Sequence, residues 1–379
     1  IKLQYILIMK FKISKIKIFK CLSHLHGIVD KKNTLPVLSN ILIEAKNNNL
    51  ILSSTDMDIS IVEKLECNVL EEGSTTINSQ MIYDIVRKLD DNSNLEIISN
   101  NGKILTLRAD GSRFSLSCLP KEDFPIIDQQ NDGVSIKINS KILFQLIDKT
   151  RFAISNEETR YFLNGLYFNV FEENNKTNLT LVGTDGHRLA KFSYHIEQKI
   201  DQITGVIIPK KTIYELSKLL SDLDEDVEII VSSSKIIFLI GKLVFVSKLI
   251  DGTFPDYKRV IPKDNTNILY VNRNNLLSAV DRVSTIANDK SPVIKFKLLK
   301  DIINLNTVNN ENSTATEDLN LKYDGDEFEI GFNSKYIMDV VNNLEDEMIT
   351  LNLKDGNSPI TAQEKSNPNL IYVLMPMRV

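Results

Sequence analysis

Apolar residues along the chain fall into two rhythms, one matching a helix turn and one alternating. The helical rhythm is clearest in Ile77–Leu89, Ile208–Leu220 and Phe332–Leu344, each opening on a short polar start. Their apolar positions are 82, 85, 86 and 89, then 213, 216 and 220, then 337, 340, 341 and 344. An i, i+3, i+4, i+7 stripe predicts a helix lying on a core. A second set, Ile13–Phe19, Ile138–Phe144 and Val271–Leu277, leads from a strand-like residue into a helix. There Ile18, Leu143 and Leu276 share one register position, and Leu22, Ile147 and Val280 share the next. Successive copies are 125 and 133 residues apart in the second set, and 131 and 124 in the first. Three copies of one domain account for both recurrences.

Between these helices the pattern alternates, as in Leu105–Arg108 and Leu179–Val182. Asp-Gly at 110–111, 185–186, 251–252, 324–325 and 355–356, and Asn-Gly at 101–102, stand in or beside such runs. These dipeptides supply the positive φ of tight hairpin turns. Each copy therefore reads as two short helices plus antiparallel sheet, an α+β domain used three times. Boundaries are expected in the polar stretches near 132 and 265, giving domains 9–132, 133–265 and 266–379. Residues 1–8 read as an upstream extension, with Met9 as the natural start.

The length of 379 residues also fits two or three domains, and 42% hydrophobic residues with 25% charged excludes a disordered chain. Three scattered cysteines, Cys21, Cys67 and Cys118, exclude a disulfide scaffold or zinc ribbon and fit a reducing compartment. No apolar run is long enough to span a bilayer, and the expected location is the cytoplasm. The formal charge of −5 hides an uneven distribution. The six helical windows 14–26, 79–90, 140–152, 210–221, 273–285 and 334–345 hold fourteen Lys and Arg against seven acids. The helices are thus +7 and everything else −12. Lysines solvating helix surfaces are a bland account of any one window. All six together predict, if they share a side, a surface that meets phosphates without reading bases. The segment Glu311–Glu329, with seven acids and only Lys322, reads as a solvated face or a socket for a basic surface.

Six motifs carry a resemblance. Leu35–Asn40, Arg113–Leu116, Arg160–Gly165, Thr184–Ala190 (TDGHRLA), Phe254–Val260 and the terminal Met375–Val379 resemble the bacterial DNA polymerase III β subunit family, the sliding clamps. The resemblance runs in order from Met9 to Val379. It implies the DNA clamp fold, with three-domain protomers paired head to tail into a ring homodimer and helices lining the hole. The implied function is that of a processivity factor, nucleoid-associated, that encircles duplex DNA of any sequence. It would tether the replicative polymerase, the clamp loader, repair polymerases and mismatch-repair proteins through peptides bearing Leu and Phe, with no cofactor, metal or membrane.

By the same resemblance the partner-peptide pocket maps onto Leu163, Thr184, Gly186, His187, Arg188, Leu189, Pro255, Arg259, Val260, Val373, Met375, Pro376, Met377 and Arg378. An apolar cleft with charged rims suits a short peptide, and flexible methionines let it repack around several. DNA contacts map onto Lys32, Arg87, Tyr161, Phe162, Lys210 and Lys211. At the dimer interface Phe114, flanked by Arg113 and Leu116, would pack against Thr285 and Ile286 of a second copy. Arg113 would face Glu317 and Asp318.

Two other classes compete. Catalysis could use Asp185 with His187, or Asp56 and Asp58 as metal carboxylates on one face of a strand. Yet the four histidines show no metal-ligand spacing, and no P-loop, GxGxxG or GxSxG occurs, so an enzyme is not expected. A β-rich adaptor that binds peptides without encircling DNA would lack the basic bias of the helices.

Overall fold

The computed structural model describes residues 8–29, 35–100, 102–125, 127–130, 132–173, 175–198, 200, 203–287, 292–309 and 313–378. Six α-helices stand among them: α1 (Lys15–His26), α2 (Ser79–Arg87), α3 (Ser140–Arg151), α4 (Lys210–Leu220), α5 (Arg273–Ser284) and α6 (Ser334–Asn342). Each lies inside one of the six windows read from the stripe. Their register residues are buried: Ile18 and Leu22 in α1, Leu143 and Ile147 in α3, Leu276 and Val280 in α5. Four helices begin on the same device, an asparagine whose side chain accepts a first-turn amide: Asn78 from Met81, Asn139 from Lys141, Asn272 from Asn275 and Asn333 from Lys335. Such caps satisfy one of the amides a helix start leaves unpaired. None of the helices described is long and apolar enough to cross a membrane.

The chain divides into two compact units, residues 1–143 with 214–249, and 144–213 with 250–379. All four sheets are antiparallel, and each lies wholly within one unit. The first unit holds a five-stranded sheet in the order Asn68–Glu71, Ile8–Ser14, Asn94–Asn100, Ile104–Ala109, Ser112–Ser117. Its eight-stranded sheet runs Val134–Asn139, Asp226–Val231, Lys235–Ile240, Leu243–Lys248, Ile59–Glu66, Asn49–Thr55, Asn40–Lys46, Gly73–Asn78. The middle of that order is a splice. Leu243–Lys248 belongs to the second sequence repeat and pairs with Ile59–Glu66 of the first, Phe245 opposite Ile61. Helices α1 and α2 pack together in this unit.

The second unit repeats the plan. Its eight-stranded sheet runs Ile203–Pro209, Gly165–Glu173, Lys176–Thr184, Arg188–Ile196, Leu370–Leu374, Ile360–Glu364, Met348–Leu353, Asn267–Asn272. Here Arg188–Ile196 is spliced onto Leu370–Leu374. A four-stranded sheet follows, Thr314–Asn320, Ile302–Val308, Val293–Leu299, Phe328–Asn333. Helices α5 and α6 cover a core in which the rings of Phe296 and Phe332 meet edge to face at 5.4 Å.

Turn chemistry follows the sequence where the turns are tight. Asp110 (φ 46°) and Gly111 (φ 83°) close the hairpin between Ile104–Ala109 and Ser112–Ser117. Asn47 and Asn48, both left-handed, do the same between Asn40–Lys46 and Asn49–Thr55 without a glycine. The expectation that Asp56 and Asp58 share a strand face is corrected. Both lie in the turn between Asn49–Thr55 and Ile59–Glu66. Asp56 accepts the amides of Asp58 and Ile59, and Asp58 pairs with Lys248. Turn-building carboxylates are committed to the backbone, and among the described residues no group of three or more His, Cys, Asp or Glu is placed to hold a metal ion.

Close packing of strands fixes Gly165, where a Cβ would stand 2.2 Å from the Ile208 carbonyl oxygen. Gly165→Ala must therefore push two paired strands apart. We expect a cost of about 1–3 kcal/mol, seen as a lowered denaturation midpoint of the second unit; an unchanged midpoint would show that this sheet edge yields freely.

Candidate functional site

The strand Lys176–Thr184 is buried on both faces over its last six residues, although its alternation suggested one. The reason is a second apolar layer in the second unit. Phe254, Tyr257, Val260 and Ile261 pack against Val182, Leu189 and Val373. Between this layer and the sheet lies a cavity of about 300 Å³. Leu163, Thr184, Gly186, Arg188 and Leu189 line it together with Pro255, Val260, Val373 and Met375, and Arg160, Phe162 and Tyr257 complete the wall.

The turn at Asp185–His187 gives the cavity its shape. Asp185 accepts the amides of His187 (2.9 Å) and Arg188 (3.0 Å), and Thr184 Oγ1 accepts that of Gly186 while donating to the Arg188 carbonyl (2.6 Å). Gly186 adopts φ +87°, and a Cβ there would stand 2.6 Å from the Arg160 guanidinium. Glycine thus both permits the turn and admits Arg160. Arg160 is held by a two-point bond to Glu157, which draws the Glu157 carboxyl below its usual range. Arg188, only 11% exposed, pairs with Asp185 and Asp339 and donates to the Phe152 carbonyl.

Family models for the N-terminal, central and C-terminal domains of the DNA polymerase III beta subunit match residues 9–128, 137–256 and 258–378. The beta sliding clamp of Caulobacter vibrioides is 40% identical over 372 residues, covering 98% of this chain and 100% of that protein. That of Pseudomonas putida is 34% identical over the same shares. Among solved structures, the sliding clamp of Bartonella birtlesii bound to griselimycin superposes with a TM-score of 0.94 at 40% identity, covering 98% of this chain and 100% of that one. The clamp of Pseudomonas aeruginosa bound to griselimycin gives 0.93 at 34%, over the same shares. The chain belongs to the DNA polymerase III beta subunit family. Its function is that of a DNA sliding clamp, a processivity factor of replication, and its fold is the clamp fold.

Against the clamp pocket expected from sequence, five residues stand outside the cavity lining. His187 is exposed, and its ring stacks on Tyr336 at 5.9 Å. Arg259 is 86% exposed and pairs with Asp256. Pro376 and Arg378 lie beyond the wall, and the Met377 amide donates to the Gly331 carbonyl at 2.8 Å. Three lining residues were not assigned to the pocket: Arg160, Phe162 and Tyr257. The signal was present, since Arg160 and Phe162 share the Arg160–Gly165 motif with Leu163, and Tyr257 sits between Pro255 and Val260.

Of the two adjacent aromatic residues expected at the DNA, Phe162 also lines the cavity and Tyr161 is 55% exposed. Arg87 pairs with Asp84 and lies over the Tyr83 ring. Lys210 donates to Asn156, and Lys211 is half-buried in the first turn of α4. Lys32 lies outside the described residues. At least seven of the fourteen helical bases (Lys15, Arg87, Lys141, Lys149, Arg151, Lys218 and Arg282) sit in ion pairs; four of the partners are already among the seven helical acids, while Asp91, Asp224 and Glu317 lie outside the windows and lower the +7 further. Lys17, Lys20, Lys88 and Lys335 are exposed.

At the expected dimer contact, Phe114 is half-buried and Leu116 is 8% exposed, facing its own core. Arg113 is exposed on the edge strand Ser112–Ser117. Thr285 donates to the Asp281 carbonyl, and Ile286 beside it is half-buried. Glu317 is gripped by Arg282, which holds its carboxyl below the usual range, and Asp318 accepts from Asn304.

Burial pushes the Tyr257 phenol up to about 12, with Tyr167, Asp256 and Glu173 adding to it. Its neutral form therefore persists through the pH range where exposed tyrosines, near 10, ionise. In a spectrophotometric titration the wild type and Tyr257→Phe are expected to release the same phenolate absorbance below about pH 11. A smaller rise in the variant would mean that Tyr257 meets solvent.

Proposed function

We propose that two copies of this chain close head to tail into a ring around duplex DNA, and that the cavity beside Arg188 seats a peptide carrying Leu and Phe from the proteins it tethers. The carrying observation is that cavity. It is walled mainly by apolar side chains, and its two arginines are already paired with carboxylates. Burying Leu and Phe side chains in such a space supplies about 1.5–3 kcal/mol each. The proposed occupants are segments of the replicative polymerase, the clamp loader, repair polymerases and mismatch-repair proteins. Two of the similar structures hold griselimycin, so clamps of this family accept ligands.

The division into domains 9–132, 133–265 and 266–379 belongs to the same reading. So do a non-catalytic role and a cytoplasmic, nucleoid-associated location. Ring closure is supported by two open sheet edges, Ser112–Ser117 in the first unit and Thr314–Asn320 in the second. An unpaired edge offers its backbone amides and carbonyls to another strand. Phe114 is the apolar anchor beside the first edge, and Thr285 and Ile286 receive it. Leu116 contributes through its own core instead, and Arg113 joins acids that Arg282 and Asn304 already hold. DNA contact then falls to Lys17, Lys20, Lys88 and Lys335, beside the Tyr161, Phe162, Lys210, Lys211, Lys32 and Arg87 positions.

Loaded by its loader onto nicked circular DNA, the chain should stay bound and leave once the circle is cut. Phe114→Ala, which removes roughly 2–4 kcal/mol from each of two interfaces if Phe114 is an anchor, should abolish retention and sediment as monomer. Retention that survives linearisation would rule out enclosure.

Peptide binding separates the wall from its surroundings. Met375→Ala should weaken a Leu/Phe peptide at least tenfold by calorimetry, about 1.4 kcal/mol, while Arg378→Ala, outside the lining, should change it less than threefold. The reverse ranking would move the peptide to the exposed tail.

A further inference from the structure

Arg188 stands in the cavity wall, yet none of the segments that hold it is its neighbour along the chain, apart from Asp185. Its Nε donates to Asp185 (3.1 Å), one terminal nitrogen donates to the Phe152 carbonyl (2.9 Å), and the other donates to Asp339. The guanidinium carbon lies 4.6 Å from the Tyr336 ring centroid and 5.2 Å from that of Phe152. The cation thus lies over two rings, and all three of its nitrogens are bonded.

Asp185 cannot hold the guanidinium alone, because its other oxygen is committed to the His187 and Arg188 amides. Removing a guanidinium from water is unfavourable unless charge and hydrogen bonds compensate it. Asp339 supplies the second charge, from α6, one turn beyond Tyr336, and its own side chain is 46% exposed. We infer that Asp339 is a positioning residue for the cavity: it fixes Arg188 as a stationary wall, although it does not itself line the space. Arg188 accordingly acts as rigid lining rather than as a hook for an acidic ligand. Helix α6 sets peptide affinity through one carboxylate. The inference rests on the reading of the cavity as a peptide site.

The test measures a Leu/Phe peptide by calorimetry against wild type, Asp339→Asn, Asp339→Glu, Arg188→Lys and the Asp339→Asn/Arg188→Lys pair, with thermal unfolding of each. Met375→Ala serves as control for the site itself: if it binds like wild type, the peptide reading fails whatever Asp339 does. Given that control, Asp339→Asn should weaken binding about tenfold, equivalent to about 1.4 kcal/mol, with little change in unfolding midpoint. Asp339→Glu should restore most of the affinity. The pair should bind no more weakly than Arg188→Lys alone, because both changes release the same group. Wild-type affinity in Asp339→Asn, additive losses in the pair, or collapse of the fold in Asp339→Asn would each overturn the proposal, the last by making the carboxylate a core element instead.

Discussion

Everything in this chain depends on two antiparallel splices, Leu243–Lys248 onto Ile59–Glu66 and Arg188–Ile196 onto Leu370–Leu374. Each joins strands from different sequence repeats through main-chain hydrogen bonds, so neither repeat has to end in an exposed edge at that seam. A one-residue slip at either splice would turn apolar side chains to the wrong face. The register is held instead by residues such as Phe245 opposite Ile61 and Leu189 opposite Val373, all buried. The second splice also places Leu189 and Val373 side by side, which is why the cavity sits there.

The helices were legible because their signal is local. Three or four apolar residues per stripe and a short polar start lie within about a dozen positions, and the cores confirm them at Ile213, Leu216 and Val340. Tight hairpins were legible for the same reason, though Asn47–Asn48 shows that asparagine alone can replace the glycine signal. The side of the chain on which Phe162 falls was not legible. It depends on the kinked 3-10 segment Glu158–Leu163, in which adjacent rings diverge, the planes of Tyr161 and Phe162 lying 78° apart. Nor could charge counting reveal that Lys149 is buried against Asn343 and Glu345, nearly two hundred residues away. Resemblance located the pocket segments, and geometry then decided which side chains within them line it.

The cavity also shows how charge and apolar surface share one wall. Arg160 and Arg188 bring long stems to the lining, while Glu157, Asp185 and Asp339 take up their charges. The result is a largely apolar space whose wall carries little unbalanced charge. Tyr257 adds a ring to the same wall without presenting an ionisable phenol at neutral pH.

The gathering of Phe152, Asp185, Asp339 and Met375 around Arg188 has a consequence for biosynthesis. Contacts this distant in sequence form late, since the intervening loop must close before they reward it. A growing polypeptide that has reached only the Thr184–Ala190 turn has the motif but no wall. It lacks the carboxylate on α6 and the strand Leu370–Leu374. Partly translated copies therefore lack the cavity, which is complete only with the last strand and not with the turn.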